Sequence, residues 1–175
     1  MGLIHPMNTQ VMLDIETLGT RPGSAILAIG AVKFGDREII SEFYQRIDLK
    51  SCVRHGLTID PDTVLWWLKQ DDAARLEITL PGDPLREVLF NFADWLQDPA
   101  AEIWGNGANF DNTLLAAAYH ATEIPLPWKY SNDRCYRTLK AMHPEITIER
   151  TGTHHNALDD ARSQALHLMA ILAPQ

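Results

Sequence analysis

Val11-Met12-Leu13-Asp14-Ile15-Glu16-Thr17 joins an apolar run to two acids spaced two residues apart. The run reads as a short β-strand over Gln10–Leu13. Strand side chains alternate, so Asp14 and Glu16 point to the same face, about 7 Å apart. Two like charges that close, at the end of a hydrophobic strand, repel each other. A divalent cation between them reverses that cost. The other reading is a strand that runs out into the polar turn Leu18-Gly19-Thr20. The stretch alone leaves both open, and the acids and histidines downstream bear on the choice.

Outward from this strand, the first half of the chain reads as a hairpin meander. Ala25–Phe34 is rich in apolar and β-branched residues and predicts a second strand. Gly35-Asp36-Arg37 predicts a turn, with Glu38–Arg46 as the hairpin partner. The rest of the chain turns to the helical period. Pro61 suits the first turn of a helix running on through Thr63-Val-Leu-Trp-Trp-Leu-Lys-Gln70. After a loop over 79–84, Leu85, Val88, Leu89, Phe92 and Leu96 recur at helical spacing. Glu102–Gly105 predicts a short strand, 109–121 a helix, 128–130 a fifth strand and 134–142 a short helix. Leu158, Ala161, Ala165, Leu168, Met169 and Leu172 mark an amphipathic last helix over 157–172. A meander followed by alternating helices and strands predicts an α/β fold, a mixed five-stranded sheet flanked by helices.

The chain has 175 residues, enough for one domain with a substantial core, expected over 8–175. Residues 1–7 read as a leader outside it; they lack the basic and apolar regions of a signal peptide. No apolar run approaches the length of a membrane-spanning helix, so no membrane partner is expected. Cys52 and Cys135 lack metal-site spacing and read as free thiols of a reducing compartment, which predicts a cytoplasmic protein. The formal net charge of −8 argues against nucleic-acid binding through a broad basic surface. It leaves room for an enzyme that engages a few nucleotides beside metal-binding acids.

Gly105-Asn-Gly-Ala-Asn-Phe-Asp111 leaves a strand and enters a helix. Asp111, Leu115 and Ala118 then share one face, and a carboxylate on an apolar face is costly unless paired or bound to a cation. An acid in a helix's first turn is also stabilised by the helix dipole in any protein. Gly152-Thr-His-His-Asn-Ala-Leu-Asp-Asp-Ala161 places histidines just before the last helix and acids in its first turn. Imidazole, titrating near pH 6.5, is a natural general base for water. Trp66 and Trp67 lie about 100° apart on a helix. At least one is expected in the core, and the other is a candidate stacking platform for a base. Arg134, Arg137 and Lys140 share one side of a short helix, either a phosphate-binding face or a solvated one.

Asp14-Ile-Glu-Thr17, Asn109-Phe-Asp111 and His155-Asn-Ala-Leu-Asp-Asp-Ala161 together resemble the three exonuclease motifs of the DEDDh, or DnaQ-like, 3′–5′ exonucleases. The resemblance covers nearly the whole chain, in the family's order. His155 and Asp160 meet the family's His-x-x-x-x-Asp spacing, which leaves His154 and Asp159 as neighbours outside the motif. Helix periodicity does not settle that register. His55-Gly-Leu-Thr58 resembles a segment that follows the early hairpin in these enzymes. Thr63–Gln70 and Asn132-Asp-Arg-Cys-Tyr-Arg-Thr138 are similar to the phage and bacterial Rv2179c-like or DexA-like branch.

The resemblance implies an RNase H-like fold and a two-metal 3′–5′ exonuclease releasing nucleoside 5′-monophosphates from the 3′ ends of single-stranded DNA or RNA. It implies that Asp14, Glu16 and Asp160 hold one Mg²⁺. Asp14 then bridges to a second, which Asp111 reaches directly or through water. Mn²⁺ is expected to substitute, as oxygen donors suit either ion. The resemblance makes His155 the base for the attacking water and places Thr17 and Leu18 against the terminal nucleotide. Trp66, Trp67 and Arg137 are further candidate substrate contacts, and a homodimer is a further expectation from the family. The competing expectation is a catalytically silent nucleotide- or nucleic-acid-binding module on the same fold. The presence of all four acids and His155 counts against it.

Overall fold

The computed structural model describes residues 9–35 and 38–173. The expected leader and part of the first hairpin turn lie outside them. Strands β1 (Gln10–Thr17), β2 (Ile26–Phe34), β3 (Ile39–Arg46), β4 (Glu102–Gly105) and β5 (Asp133–Cys135) form one sheet in the order β3-β2-β1-β4-β5. The β1/β2 and β2/β3 pairs are antiparallel, and the β1/β4 and β4/β5 pairs are parallel. The helices are α1 (Leu49–Arg54), α2 (Pro61–Trp67), α3 (Asp72–Thr79), α4 (Leu85–Leu96), α5 (Asp111–Ala121), α6 (Tyr136–Met142) and α7 (Ala157–Leu172). No helix among the described residues is long and apolar enough to cross a membrane.

The central strand explains why the sheet is covered on both faces. Val11, Leu13 and Ile15 of β1 join one core with Val88, Leu89 and Phe92 of α4 and Leu114, Leu115 and Ala118 of α5. Met12, on the alternate face, joins Val32, Phe34 and Trp104 in a second core closed by Ala161, Ala165 and Leu168 of α7. Asp14 and Glu16 share the parity of Met12, so they face the side that α7 covers.

Close approach of α7 depends on Gly30, which pairs with Asp14 across β1/β2. A Cβ at Gly30 would lie 2.2 Å from the Ala157 carbonyl carbon. The absent side chain therefore lets the first turn of α7, with Asp160, sit against the sheet beside Asp14.

Three expectations about elements need correction. The fifth strand is Asp133–Cys135, not 128–130. Pro125 and Pro127 remove backbone donors just before Trp128, and Trp128 is buried in the core, donating its indole N–H to Asp133 Oδ1 at 2.9 Å. Helix α6 accordingly starts at Tyr136, and Arg134 belongs to β5, where it pairs with Glu102 at 2.6 Å. Helices α1 and α3, of six and eight residues, were not expected. They are too short to show a period, and aspartates cap them: Asp48 accepts the N–H groups of Lys50 and Ser51, and Asp71 that of Ala74.

Candidate active site

Strand β4 pairs with β1 only as far as Leu13. Beyond that point the Ile15 N–H has lost its strand partner, and Asp111 Oδ1 accepts it at 3.3 Å. The other Asp111 oxygen accepts the Asn106 N–H at 2.9 Å. The first residue of α5 is thus locked over the carboxyl end of β1, where the neighbouring strands change from antiparallel to parallel. Such a switch point is where open sheets present ligand sites.

A cleft of about 830 Å³ opens there. Asp14, Glu16, Asp111 and Asp160 line it together with Thr17, Trp66, Trp67, Arg137, His154 and His155. Leu18, expected against the terminal nucleotide, is buried in the main core and does not line the cleft. The Thr17 hydroxyl donates to the Gly19 carbonyl at 2.7 Å, and the Thr17 carbonyl accepts the Trp67 indole N–H at 2.9 Å.

The acids crowd one another. Burial holds the Asp14 carboxyl well above the usual carboxylate range, and the charges of Asp111 and Asp160 add to it. Burial raises Glu16 as well, followed by the charges of Asp14, Asp160 and Asp111. Burial pushes Asp111 up to about 7 despite the backbone N–H groups of Ile15, Asn106 and Asp111 itself. Gln164, one turn after Asp160 on α7, donates from Nε2 to Asp14 Oδ1 at 2.7 Å. Glu16 is only 9 % exposed as a whole residue and lines the cleft.

The two neighbouring aspartates of α7 are used differently. Asp159 accepts the Thr153 N–H at 2.8 Å and an Arg162 N–H at 3.1 Å, which ties the preceding loop to the helix. Asp160 faces the cleft, with Oδ2 accepting the His155 N–H at 3.3 Å and Oδ1 paired with Arg150.

His155 has φ +64°, a backbone conformation uncommon for a residue with a side chain. Its ring centre is 5.0 Å from that of Trp66, 5.7 Å from that of Trp67 and 3.8 Å from that of His154. Burial, and next the His154 charge, hold its pKa below the ordinary 6.5. An imidazole nitrogen of His155 and a carboxylate oxygen each from Glu16 and Asp160 lie within 4.8 Å of one another.

The two tryptophans occupy different environments. Trp67 is 1 % exposed, whereas Trp66 is 43 % exposed at the cleft rim.

This donor set fits divalent cations. Four buried or partly buried carboxylates line one cleft. An oxygen-rich set of this kind suits Mg²⁺ or Mn²⁺.

Sequence reasoning missed Gln164 and Arg150. Gln164 was accessible, because it lies at i+4 from Asp160 on the same helix face. Arg150 was not, because it comes from an irregular loop that shows no period.

Residues 9–172 match the family model described as the 3′–5′ exoribonuclease Rv2179c-like domain. The chain belongs to this family. Membership supports a nuclease function. No curated protein matches the chain significantly.

Among solved structures, the chain is similar to E. coli exonuclease I in complex with a dT13 oligonucleotide. That likeness has a TM-score of 0.66 at 17 % identity, over 95 % of this chain and 41 % of that one. The E. coli enzyme in complex with a dA16 oligonucleotide gives a TM-score of 0.65 at 16 % identity, over 95 % of this chain and 40 % of that one. A product-bound exonuclease I gives 0.63 at 16 % identity, over 94 % and 43 %. These likenesses carry the RNase H-like fold. The chain spans about two fifths of the length of the exonuclease I chains it resembles.

Proposed function

We propose that this protein is a DEDDh-type 3′–5′ exonuclease. It would hydrolyse the terminal phosphodiester of a single-stranded nucleic acid and release nucleoside 5′-monophosphates. The observation that carries this reading is the meeting of Asp14, Glu16, Asp111 and Asp160 with His155 in one cleft. The family's exoribonuclease description makes RNA the first substrate to test, and the oligonucleotides held by the exonuclease I neighbours make DNA the second.

Asp14, Glu16, Asp111 and Asp160 would hold two divalent cations. Bound cations would supply charge that stabilises the attacking and leaving oxygens of an in-line displacement. Gln164 fixes the orientation of the Asp14 carboxylate, and the Ile15 and Asn106 N–H groups fix that of Asp111. A His155 ring nitrogen would take a proton from water as its oxygen attacks phosphorus. The bond from phosphorus to the 3′-oxygen breaks, and that oxygen collects a proton from solvent. The lowered pKa keeps His155 neutral, and so able to accept a proton, at pH 7. Trp66, partly exposed, and Arg137 both line the cleft, and they would meet a base and a phosphate.

The test is a time course with 3′-labelled single-stranded RNA and DNA, in Mg²⁺ and in EDTA. The first labelled product should be a nucleoside 5′-monophosphate, formed only with Mg²⁺. Internal fragments, or release that persists in EDTA, would rule the reading out.

A further inference from the structure

The cleft contains a cation that the reaction scheme does not use. Arg150 donates from Nη2 to Asp160 Oδ1, although the Asp160 side chain is only 8 % exposed. Its placement is fixed from both sides. Thr151 donates its N–H to Ser163 Oγ at 3.2 Å, and Ser163 Oγ lies 3.1 Å from the Thr151 carbonyl. Upstream, the Ile146 carbonyl is 2.7 Å from His167 Nε2, and His167 Nδ1 meets the Tyr136 hydroxyl at 2.7 Å. Helix α7 thus grips the loop around Arg150 at two points and aims its guanidinium at the acid cluster.

Two consequences follow from elementary electrostatics. The Arg150 charge offsets the crowding felt at Asp14 and at Glu16, so it stands in for part of the charge a bound cation would bring. A cation using Asp160 must compete with the guanidinium for that carboxylate. Once displaced, the guanidinium is still tethered at Thr151, in a cleft that Arg137 and Lys140 also line. Its side chain is already 46 % exposed, so it can turn without unpacking a core. A planar guanidinium released beside a nucleic-acid strand has a natural partner in a phosphate, which it can bind with two parallel hydrogen bonds.

We propose that Arg150 exchanges partners as the site loads. Asp160 holds it in the cation-free protein, and a backbone phosphate of the nucleic-acid strand holds it in the loaded one. This inference rests on the nuclease reading and adds to it a substrate-binding residue that also sets the cation affinity.

The experiment uses the full chain with Arg150→Gln and Arg150→Lys, in two arms. In the first, Mn²⁺ is titrated calorimetrically without nucleic acid. Arg150→Gln should bind it about fivefold more tightly, as expected from removing one competing ion pair. In the second, a single-stranded RNA oligonucleotide is bound at several KCl concentrations in a fixed, saturating concentration of Mn²⁺, with His155→Ala as background to slow consumption of the strand. Arg150→Gln should make the slope of log affinity against log salt shallower by about 0.7, the loss of one phosphate contact on a single strand. Arg150→Lys should keep the slope. A merely structural role would not move this slope. Unchanged Mn²⁺ affinity or an unchanged salt slope in Arg150→Gln overturns the exchange. If the protein with Arg150 intact neither binds Mn²⁺ nor releases nucleotides, the nuclease reading itself has failed, and the inference with it.

Discussion

In metal-free buffer the protein should lose stability as pH rises from 5 to 8. Asp111 carries the part of this effect that can be worked out. Its carboxyl ordinarily titrates near 3.8 and is held at about 7 in the folded protein, chiefly by burial. Between those values the unfolded chain has released this proton and the folded chain still holds it. Folding therefore takes up a proton, and raising the pH works against it. Below pH 3.8 the contribution is complete, and it is lost as pH climbs through 7. From pH 5 to 8 the loss from Asp111 alone is about 3 kcal/mol. Asp14 and Glu16 are raised too, so they act with the same sign. Mg²⁺ binds the ionised carboxylates and should flatten or reverse the trend, adding about 2.7 kcal/mol at a hundred times its dissociation constant. The assay is urea unfolding followed by tryptophan fluorescence, at each pH, in EDTA and in Mg²⁺. Asp111→Asn should show a shallower pH dependence, whatever its absolute stability. Stability that is flat or rising with pH in EDTA, or an unchanged dependence in Asp111→Asn, would refute the crowding argument.

Gly30→Ala should cost at least about 1–3 kcal/mol of unfolding free energy and weaken Mn²⁺ binding, because a Cβ 2.2 Å from the Ala157 carbonyl carbon pushes α7 and Asp160 away from Asp14. Urea unfolding and calorimetry would check both. Trp67→Ala should lose about 3–5 kcal/mol of stability, whereas Trp66→Ala should leave the melting temperature nearly unchanged and raise KM; two destabilised variants with unchanged KM would remove Trp66 from the substrate site. His155→Ala should lower kcat by about 10²–10⁴-fold while retaining metal affinity. In the parent protein the rate should fall as pH drops through an inflection below 6.5, and His154→Ala should move that inflection upward. A pH–rate profile of the variants decides it.

The fold was legible where periodicity ran long. Leu85, Val88, Leu89, Phe92 and Leu96 repeat over three turns, and all are buried. The hairpin strands carry enough β-branched residues to be read directly. Short elements were not legible: α1 and α3 are held by aspartate caps and tertiary packing. The aromatic Trp128-Lys-Tyr130 stretch resembled a strand because burial of Trp128 leaves the same local signature. At the site, alternation put Asp14 and Glu16 on one face, but only folding shows Asp111 reaching across the end of β4 to join them. The choice between Asp159 and Asp160 came from motif spacing; in the fold, Asp159 is bonded to Thr153 and Arg162 while Asp160 faces the cleft. Arg150 left no trace in the pattern, since its role depends on a loop anchored by Ser163 and His167.

The central claim is that Asp14, Glu16, Asp111 and Asp160 jointly hold catalytic cations while His155 stays free to act as a base. Anomalous scattering from crystals soaked in Mn²⁺ and a nucleoside 5′-monophosphate tests it directly. Two manganese peaks should contact the four carboxylates, with the nucleotide phosphate beside them and His155 off the metals. A single peak held by Glu16, His155 and Asp160, whose donor atoms already lie within 4.8 Å of one another, would contradict it.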